Sequence, residues 1–449
     1  MNAGRYVIWA RQLVGGMCVV SMALGASPAI VRADEPDSAA LKADVKMLKD
    51  RLNKLEQQLA SAEMKGVSTT GEKSGLPTLQ LPSGLQGLAV SGYVDTSYVY
   101  NFNRPDAGGG RTNRGRVFDT NANGFTIQAM KLVLEKPTSE ASPVGFRTDL
   151  MYGDDAELIH SGGLPTLNVA SGESASTEAF DLQQAYVTYK APVGAGLDLK
   201  AGKFITLLGA EVINSPENWN FSRSYMFGYA IPFTHTGVLA SYPVLGEWGS
   251  LTAGIVNGWD IVDENNSFKT MLGSLTLTPM KGVTLATNLI TGAERASDNS
   301  NDRTVLDLVA TWQPLEKLTL MANYDYGHEA SAAHGALGTA GPDTTNWSGV
   351  ALYAKYDVTD KWSLAGRWEA FNDPDDARTA LTGPGGTSDI LEGLKLQEYT
   401  LTSQWKLYEH LLARLEYRHD DSNERAFFHT GAGFKTTQDT ISTEVVCHF

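Results

Sequence analysis

From residue 88 onward, apolar and polar side chains alternate with period two in sixteen segments. They run 88–103, 124–136, 144–152, 182–191, 197–207, 236–243, 249–259, 270–278, 283–291, 304–313, 317–326, 347–357, 361–371, 395–406, 410–419 and 436–449. Alternation of this kind predicts strands with one apolar and one polar face. In 410–419, for example, Leu411, Ala413, Leu415 and Tyr417 alternate with Arg414, Glu416 and Arg418. Charges at that spacing cannot lie unpaired in a dry core. The polar face therefore meets water, or partners, along the whole strand.

The connections sort by parity. Those at 137–143, 192–196, 244–248, 279–282, 314–316, 358–360 and 407–409 are short. Those at 104–123, 153–181, 208–235, 260–269, 292–303, 327–346, 372–394 and 420–435 are long and polar. A two-sheet sandwich has no reason to sort its loops in this way, whereas a closed membrane barrel does. Aromatics near strand ends (Tyr98, Tyr100, Tyr324, Tyr326, Trp362, Trp368, Tyr417 and Phe449) suit the two interfacial girdles of such a barrel. No apolar run reaches the roughly 18–20 residues of a membrane helix. A barrel needs none, because its backbone is satisfied between strands. The fold expected is all-β: a closed antiparallel transmembrane β-barrel of about sixteen strands over 88–449.

Three segments precede it. Arg5 and Arg11 flank a short basic start, Leu13–Ala26 is apolar, and Val31-Arg32-Ala33 offers small residues before Asp34, so 1–33 reads as a signal peptide. In 34–65, Leu41, Val45, Leu48, Leu52, Leu55, Leu59 and Ala62 form a heptad seam, predicting a coiled-coil helix placed in the periplasm. Residues 66–87, rich in Gly, Ser, Thr and Pro, read as a flexible linker.

Charge narrows the function. The chain carries 51 acidic against 36 basic side chains, a net −15, which argues against a nucleic-acid partner. Loss of 1–33 removes three arginines and no acid, giving −18, of which the eight long connections hold −15. Two cysteines, without a CxxC pair, point to neither a disulfide framework nor a cysteine-ligated metal. No GxSxG or HExxH appears, and the clusters Asp154-Asp155 and His419-Asp420-Asp421 fall where strands pass into loops, where carboxylates are ordinarily solvated. No catalytic residue, cofactor or protein-bound metal is expected, although acidic loops could take Ca²⁺ or Mg²⁺ bridging lipopolysaccharide.

The third long connection, 208–235, is rich in large aromatic and apolar groups: Trp219, Phe221, Tyr225, Phe227, Tyr229 and Phe233. Loops facing water rarely show such a surface. The expectation is that it folds inward as a constriction bearing Glu211, Glu217, Trp219, Arg223 and Tyr225, with Glu211 and Glu217 facing the basic wall positions Arg367, Arg414 and Arg418. Arg147 with Asp149, Arg367 with Glu369, and Arg414, Glu416 and Arg418 are the polar-face positions expected to line the lumen. Sixteen strands leave an aqueous channel where about eight do not. The reading is thus a diffusion pore for small hydrophilic solutes and ions with weak cation preference. A sugar-selective pore, or a non-conducting barrel acting through its loops as adhesin or structural protein, are the alternatives.

The stretch Gly92-Tyr93-Val94-Asp95, the segment Gly202-Lys203-Phe204 and the terminal Phe449 resemble the OmpL-like β-barrel porins of Gram-negative bacteria over 88–449. The resemblance implies an outer-membrane location among lipids and lipopolysaccharide, with the last strand and Phe449 read by the barrel assembly machinery. The heptad segment resembles that of trimeric sugar porins with periplasmic coiled coils, which implies a homotrimer.

Overall fold

The computed structural model describes residues 87–106, 111–164, 179–330, 344–383 and 393–449, with 333–334, 339–340 and 391. The expected signal peptide, heptad helix and, apart from Gly87, the linker lie outside these residues.

Sixteen strands form the wall. The first eight are β1 (Ala89–Asn101), β2 (Gly124–Lys136), β3 (Val144–Tyr152), β4 (Phe180–Ala191), β5 (Leu197–Ile205), β6 (Thr234–Tyr242), β7 (Gly249–Val256) and β8 (Thr270–Met280). The second eight are β9 (Val283–Ala293), β10 (Asp302–Leu315), β11 (Leu318–Glu329), β12 (Thr345–Thr359), β13 (Trp362–Asp373), β14 (Leu394–Tyr408), β15 (Leu411–Ser422) and β16 (Thr437–His448). Each pairs antiparallel with its sequence neighbours, and β16 returns to β1 to close the barrel. Each expected segment corresponds to one strand. Closure removes every sheet edge, so the backbone hydrogen bonds of the wall are made within it.

Burial alternates with the pleat. On β15, Leu412, Arg414, Glu416, Arg418 and Asp420 are buried inside, whereas Leu415 and Tyr417 are exposed outside. The outer face carries Val94, Ile127, Val238, Leu251, Ile255, Met271, Leu285, Leu308, Leu352, Leu401, Leu415 and Val445 as an exposed apolar band. Water would make that surface costly, and lipid makes it the ground state. Exposed aromatics flank it: Phe102, Phe125, Tyr152, Tyr324 and Tyr326 toward the long connections, and Trp248, Trp312, Tyr356, Trp362, Tyr408 and Phe449 toward the short turns. Trp368 and Tyr417 depart from the girdle expectation. They lie mid-strand beside the outward-facing pair Ala354 and Gly366, whose small side chains leave a dent that the rings border.

Two glycines in the family-like stretches have a packing reason. A Cβ on Gly92 would stand 2.2 Å from the Lys131 carbonyl oxygen, and one on Gly202 would stand 2.2 Å from that of Ala185. Gly92 also exchanges both backbone hydrogen bonds with Phe449 (3.1 and 3.0 Å), extending the β1–β16 seam by one residue pair.

Candidate functional site

The β5–β6 connection, residues 206–233, lies against the inner faces of β12–β16. Its own side chains shape it first. Asn218 accepts from the Val212 N–H (3.0 Å) and donates to the Val212 (2.7 Å) and Asn214 (3.2 Å) carbonyls. A short 3₁₀ turn at Ser215–Glu217 has proline at its start, where the missing N–H costs nothing. Arg223 is held by the loop's own backbone. Its guanidinium donates to the carbonyls of Val212 (3.2 Å), Phe221 (2.5 Å) and Ile213 (2.5 Å), and it stacks 4.9 Å over the Phe118 ring. A single π-helical turn, Met226–Ala230, completes the connection.

The wall then holds the shaped loop by charge-assisted bonds. Arg367 on β13 donates to Glu211 Oε1 (2.6 Å), to the Ser222 carbonyl (2.6 Å) and to Glu398 (2.5 Å). Glu369, two residues on, accepts the N–H groups of Tyr225 (2.5 Å) and Met226 (3.1 Å). Glu416 on β15 accepts those of Phe221 (2.7 Å) and Ser222 (3.0 Å). Arg414 donates to the Ser215 (3.1 Å) and Asn218 (2.6 Å) carbonyls and to Glu444 (2.8 Å), which also accepts from the Ser215 hydroxyl. Arg418 donates to the Arg223 carbonyl (2.6 Å) and to Asp420 (2.7 Å), and sits 4.8 Å over the Tyr225 ring. Such bonds are roughly twice as strong as neutral ones. Carboxylates that each take two successive N–H groups satisfy a loop backbone otherwise cut off from water.

Apolar packing finishes the attachment. The Trp347 indole N–H donates to the Ala230 carbonyl (3.1 Å), and its ring lies over Gly327 directly across the β11–β12 ladder. Met226 occupies the space above Gly349. Phe118, Phe227, Phe233, Tyr225 and Phe371 are all buried in this cluster.

The residues selected from sequence therefore sit as follows. Arg367, Glu369, Arg414, Glu416 and Arg418 face inward, but with the loop over them none shows more than 3% of its surface. Their expected exposure to a water path is corrected by that cover. Asp149 is equally buried, bound to Lys131 (2.7 Å) and Arg147 (2.7 Å). Arg147, whose side chain is 24% exposed, also reaches Glu135 (3.2 Å). Glu211 and Tyr225 are buried, whereas Glu217 is exposed and takes only the Asn214 amide (2.7 Å). Glu211 thus meets Arg367 in contact, while Glu217 meets none of the three wall arginines. The wall arginines are closed into pairs instead, because a buried guanidinium must be neutralised at short range. Trp219 is half-buried, edge-on to Tyr353 at 6.4 Å. Alternation splits the His419–Asp421 cluster: Asp420 is inside with Arg116 and Arg418, while His419 binds Asp439 (2.8 Å). Among the described residues, no group of three or more His, Cys, Asp or Glu is arranged to hold a metal.

What stays accessible inside is different in kind. Ser241, Ser250, Thr252, Ser274, Thr276, Thr284, Thr311 and Thr319, on β6–β11, share the inward parity and are half-buried or exposed. Ser241 and Thr252 share a hydrogen bond (2.8 Å) across their ladder. Sequence reading favoured charges and passed over this hydroxyl-lined wall, whose signal was the run of Ser and Thr at period two.

Three groups in the long connections show how firmly the loop ends are fixed. Asp260 accepts the N–H groups of Phe233 and Thr234 (2.8 Å each), where the loop re-enters β6, and burial pushes its carboxyl up to about 6. Asp155, on the short helix α1 (Asp154–Ile159), is raised by burial to about 7, with Arg223 opposing. Arg378 donates to the Tyr229 carbonyl (2.7 Å) and lies over Trp259, and burial with Arg303 nearby brings its guanidinium down to about 10.

The fold is shared with solved porins. The outer membrane channel DcaP of Acinetobacter baumannii matches at a TM-score of 0.53 and 12% identity, over 81% of this chain and 97% of that one. OmpF of Salmonella typhi, in complex with daunomycin, matches at 0.52 and 10%, over 81% and 97%. An anion-selective porin from Comamonas acidovorans matches at 0.51 and 11%, over 81% and 99%. At these identities the likeness concerns the fold. No curated protein matches in sequence at a significant level. A family model covers the whole barrel, residues 87–449, and by that match the chain belongs to the family described as “Putative beta-barrel porin-2, OmpL-like”.

Proposed function

We propose that the barrel is a water-filled outer-membrane channel for passive diffusion of small hydrophilic solutes and ions, narrowed by the β5–β6 connection. The observation that carries this reading is the connection itself. Its backbone is bonded to Arg367, Glu369, Arg414, Glu416 and Arg418 on one half of the inner wall. The hydroxyl-lined half at β6–β11 is left as the path. In this arrangement the five wall charges and Arg223 position the constriction, and Glu217 and Trp219 at its tip meet solute. Barrels of this strand number enclose a channel.

The heptad helix and short turns belong to the periplasm in this proposal, and the acidic long connections to the cell exterior, beside lipopolysaccharide. The protein assembles as a homotrimer, with Phe449 presented to the barrel assembly machinery. Interior charges are largely neutralised in pairs, so the acidic mouth sets ion preference.

Planar-bilayer recording in a salt gradient tests this directly. Stepwise ohmic openings with a reversal potential of weak cation preference are expected, and clear anion preference would refute the charge assignment. The aromatic packing around Phe118, Phe227 and Phe371 favours a second reading, a barrel that does not conduct. Folded protein inserted in the bilayer without any openings would establish it.

A further inference from the structure

On the short-turn side of the β5–β6 connection lies a hollow of about 350 Å³, walled by the loop tip, β12, β14, β15 and His448. That is at the small end of the roughly 300–1,000 Å³ of sites that hold small ligands. Trp219 from the loop tip lines it, with its indole set edge-on against Tyr353 at 86°. Gln404 lines it too. Its Oε1 accepts from Arg414 Nε (2.9 Å), so the amide N–H groups are the part left to a ligand. Glu217 takes one amide bond, from Asn214 to Oε1, and its other oxygen is free to accept. The Lys355 ammonium is held only by Asp357 at 3.6 Å.

The charges in the hollow cancel: Glu217 and Glu409 stand against Lys355 and Lys406. An ionic ligand finds no net opposite charge there. A purely apolar one would leave donors and acceptors unpaired at a cost of about 1–3 kcal/mol each. What fits is a neutral ring with an apolar C–H face for the indole and hydroxyls that both donate and accept. We propose that this hollow is a binding subsite for a neutral pyranose, placed where a solute leaves the constriction. The inference rests on the channel reading only for how the sugar arrives.

Calorimetric titration of the full-length protein in detergent with D-glucose, maltose and sucrose tests it, alongside current-noise recording with the same sugars on the short-turn side. Saturable binding near about 1 mM is expected, with Trp219→Ala raising the dissociation constant about tenfold and Trp219→Phe restoring most of the affinity. Gln404→Leu, which removes the amide donors while Arg414 keeps Glu444 and its two loop carbonyls, provides a second variant with a loss of about tenfold. Failure of all three sugars to bind the folded wild-type protein would overturn the proposal, as would unchanged affinity in both Trp219→Ala and Gln404→Leu. Binding without conductance supports the subsite and sinks the channel. Conductance without binding does the reverse.

Discussion

Replacing Arg367 by alanine is expected to destabilise the barrel by about 3–5 kcal/mol, because it leaves buried charge without its partner. Glu211 loses its guanidinium, Glu398 keeps only that of Arg418 at 3.7 Å, and the Ser222 carbonyl loses its donor. All three lie where water does not reach. The loss is read as a lower midpoint of denaturant unfolding in detergent, and the freed loop as a higher single-channel conductance. Arg147→Ala is the matched control. Its side chain is 24% exposed and its partner Asp149 keeps Lys131, so the loss stays within about 1 kcal/mol. Equal losses in the two variants would show that the loop is not held through Arg367.

Asp420→Ala is expected to have an effect of the same size by a different route. Asp420 takes Arg116 Nη2 at 2.6 Å, Arg418 Nε at 2.7 Å and the Gln438 amide at 3.1 Å. Arg116 comes from the β1–β2 connection, so this carboxylate ties that loop into the wall. Removing it takes a close carboxylate from two buried guanidinium groups, at about 3–5 kcal/mol, although Arg116 keeps Asp119 and Arg418 keeps Glu398 at 3.7 Å. The local sign is faster tryptic cleavage after Arg114 or Arg116 in folded protein. Asp420→Asn, which keeps one acceptor in place, should lose less, about 1–3 kcal/mol. Wild-type protease resistance in Asp420→Ala would show that Asp420 does not tie the β1–β2 connection to the wall.

The barrel was legible because closure imposes a rule on every residue of every strand. Period two holds through Leu411–Ser422, broken in β2 and β4 only by a bulged residue, Gln128 and Gln183, and each turn-to-loop change marks a side of the membrane. The third long connection also stood apart, since Trp219, Tyr225 and Phe227 are costly in water. Arg367, Arg414 and Arg418 were legible as wall positions facing it, but the carboxylates that hold its backbone were not. Glu369 and Glu416 bind main-chain N–H groups of Tyr225, Met226, Phe221 and Ser222, and a backbone donor is the same whatever the residue. Parity places Arg367 and Arg418 on the inner face but carries no information on whether water or a folded loop lies above them. The bonds of Arg223 were illegible for a related reason: three carbonyl oxygens satisfy it, and nothing in the sequence marks a carbonyl as an acceptor waiting for a cation. Gly327 and Gly349 make the shelf on which Trp347 and Met226 sit.

In the proposed function the β5–β6 connection sets the width of the channel. Deleting residues 217–229 removes Trp219, Arg223 and Tyr225 and opens Glu369 and Glu416 to water, where their charges are no longer costly. Single-channel conductance of the deleted protein in planar bilayers is the direct measurement. A conductance above that of the intact barrel is expected, and an unchanged conductance in correctly folded protein would mean that the connection does not narrow the path.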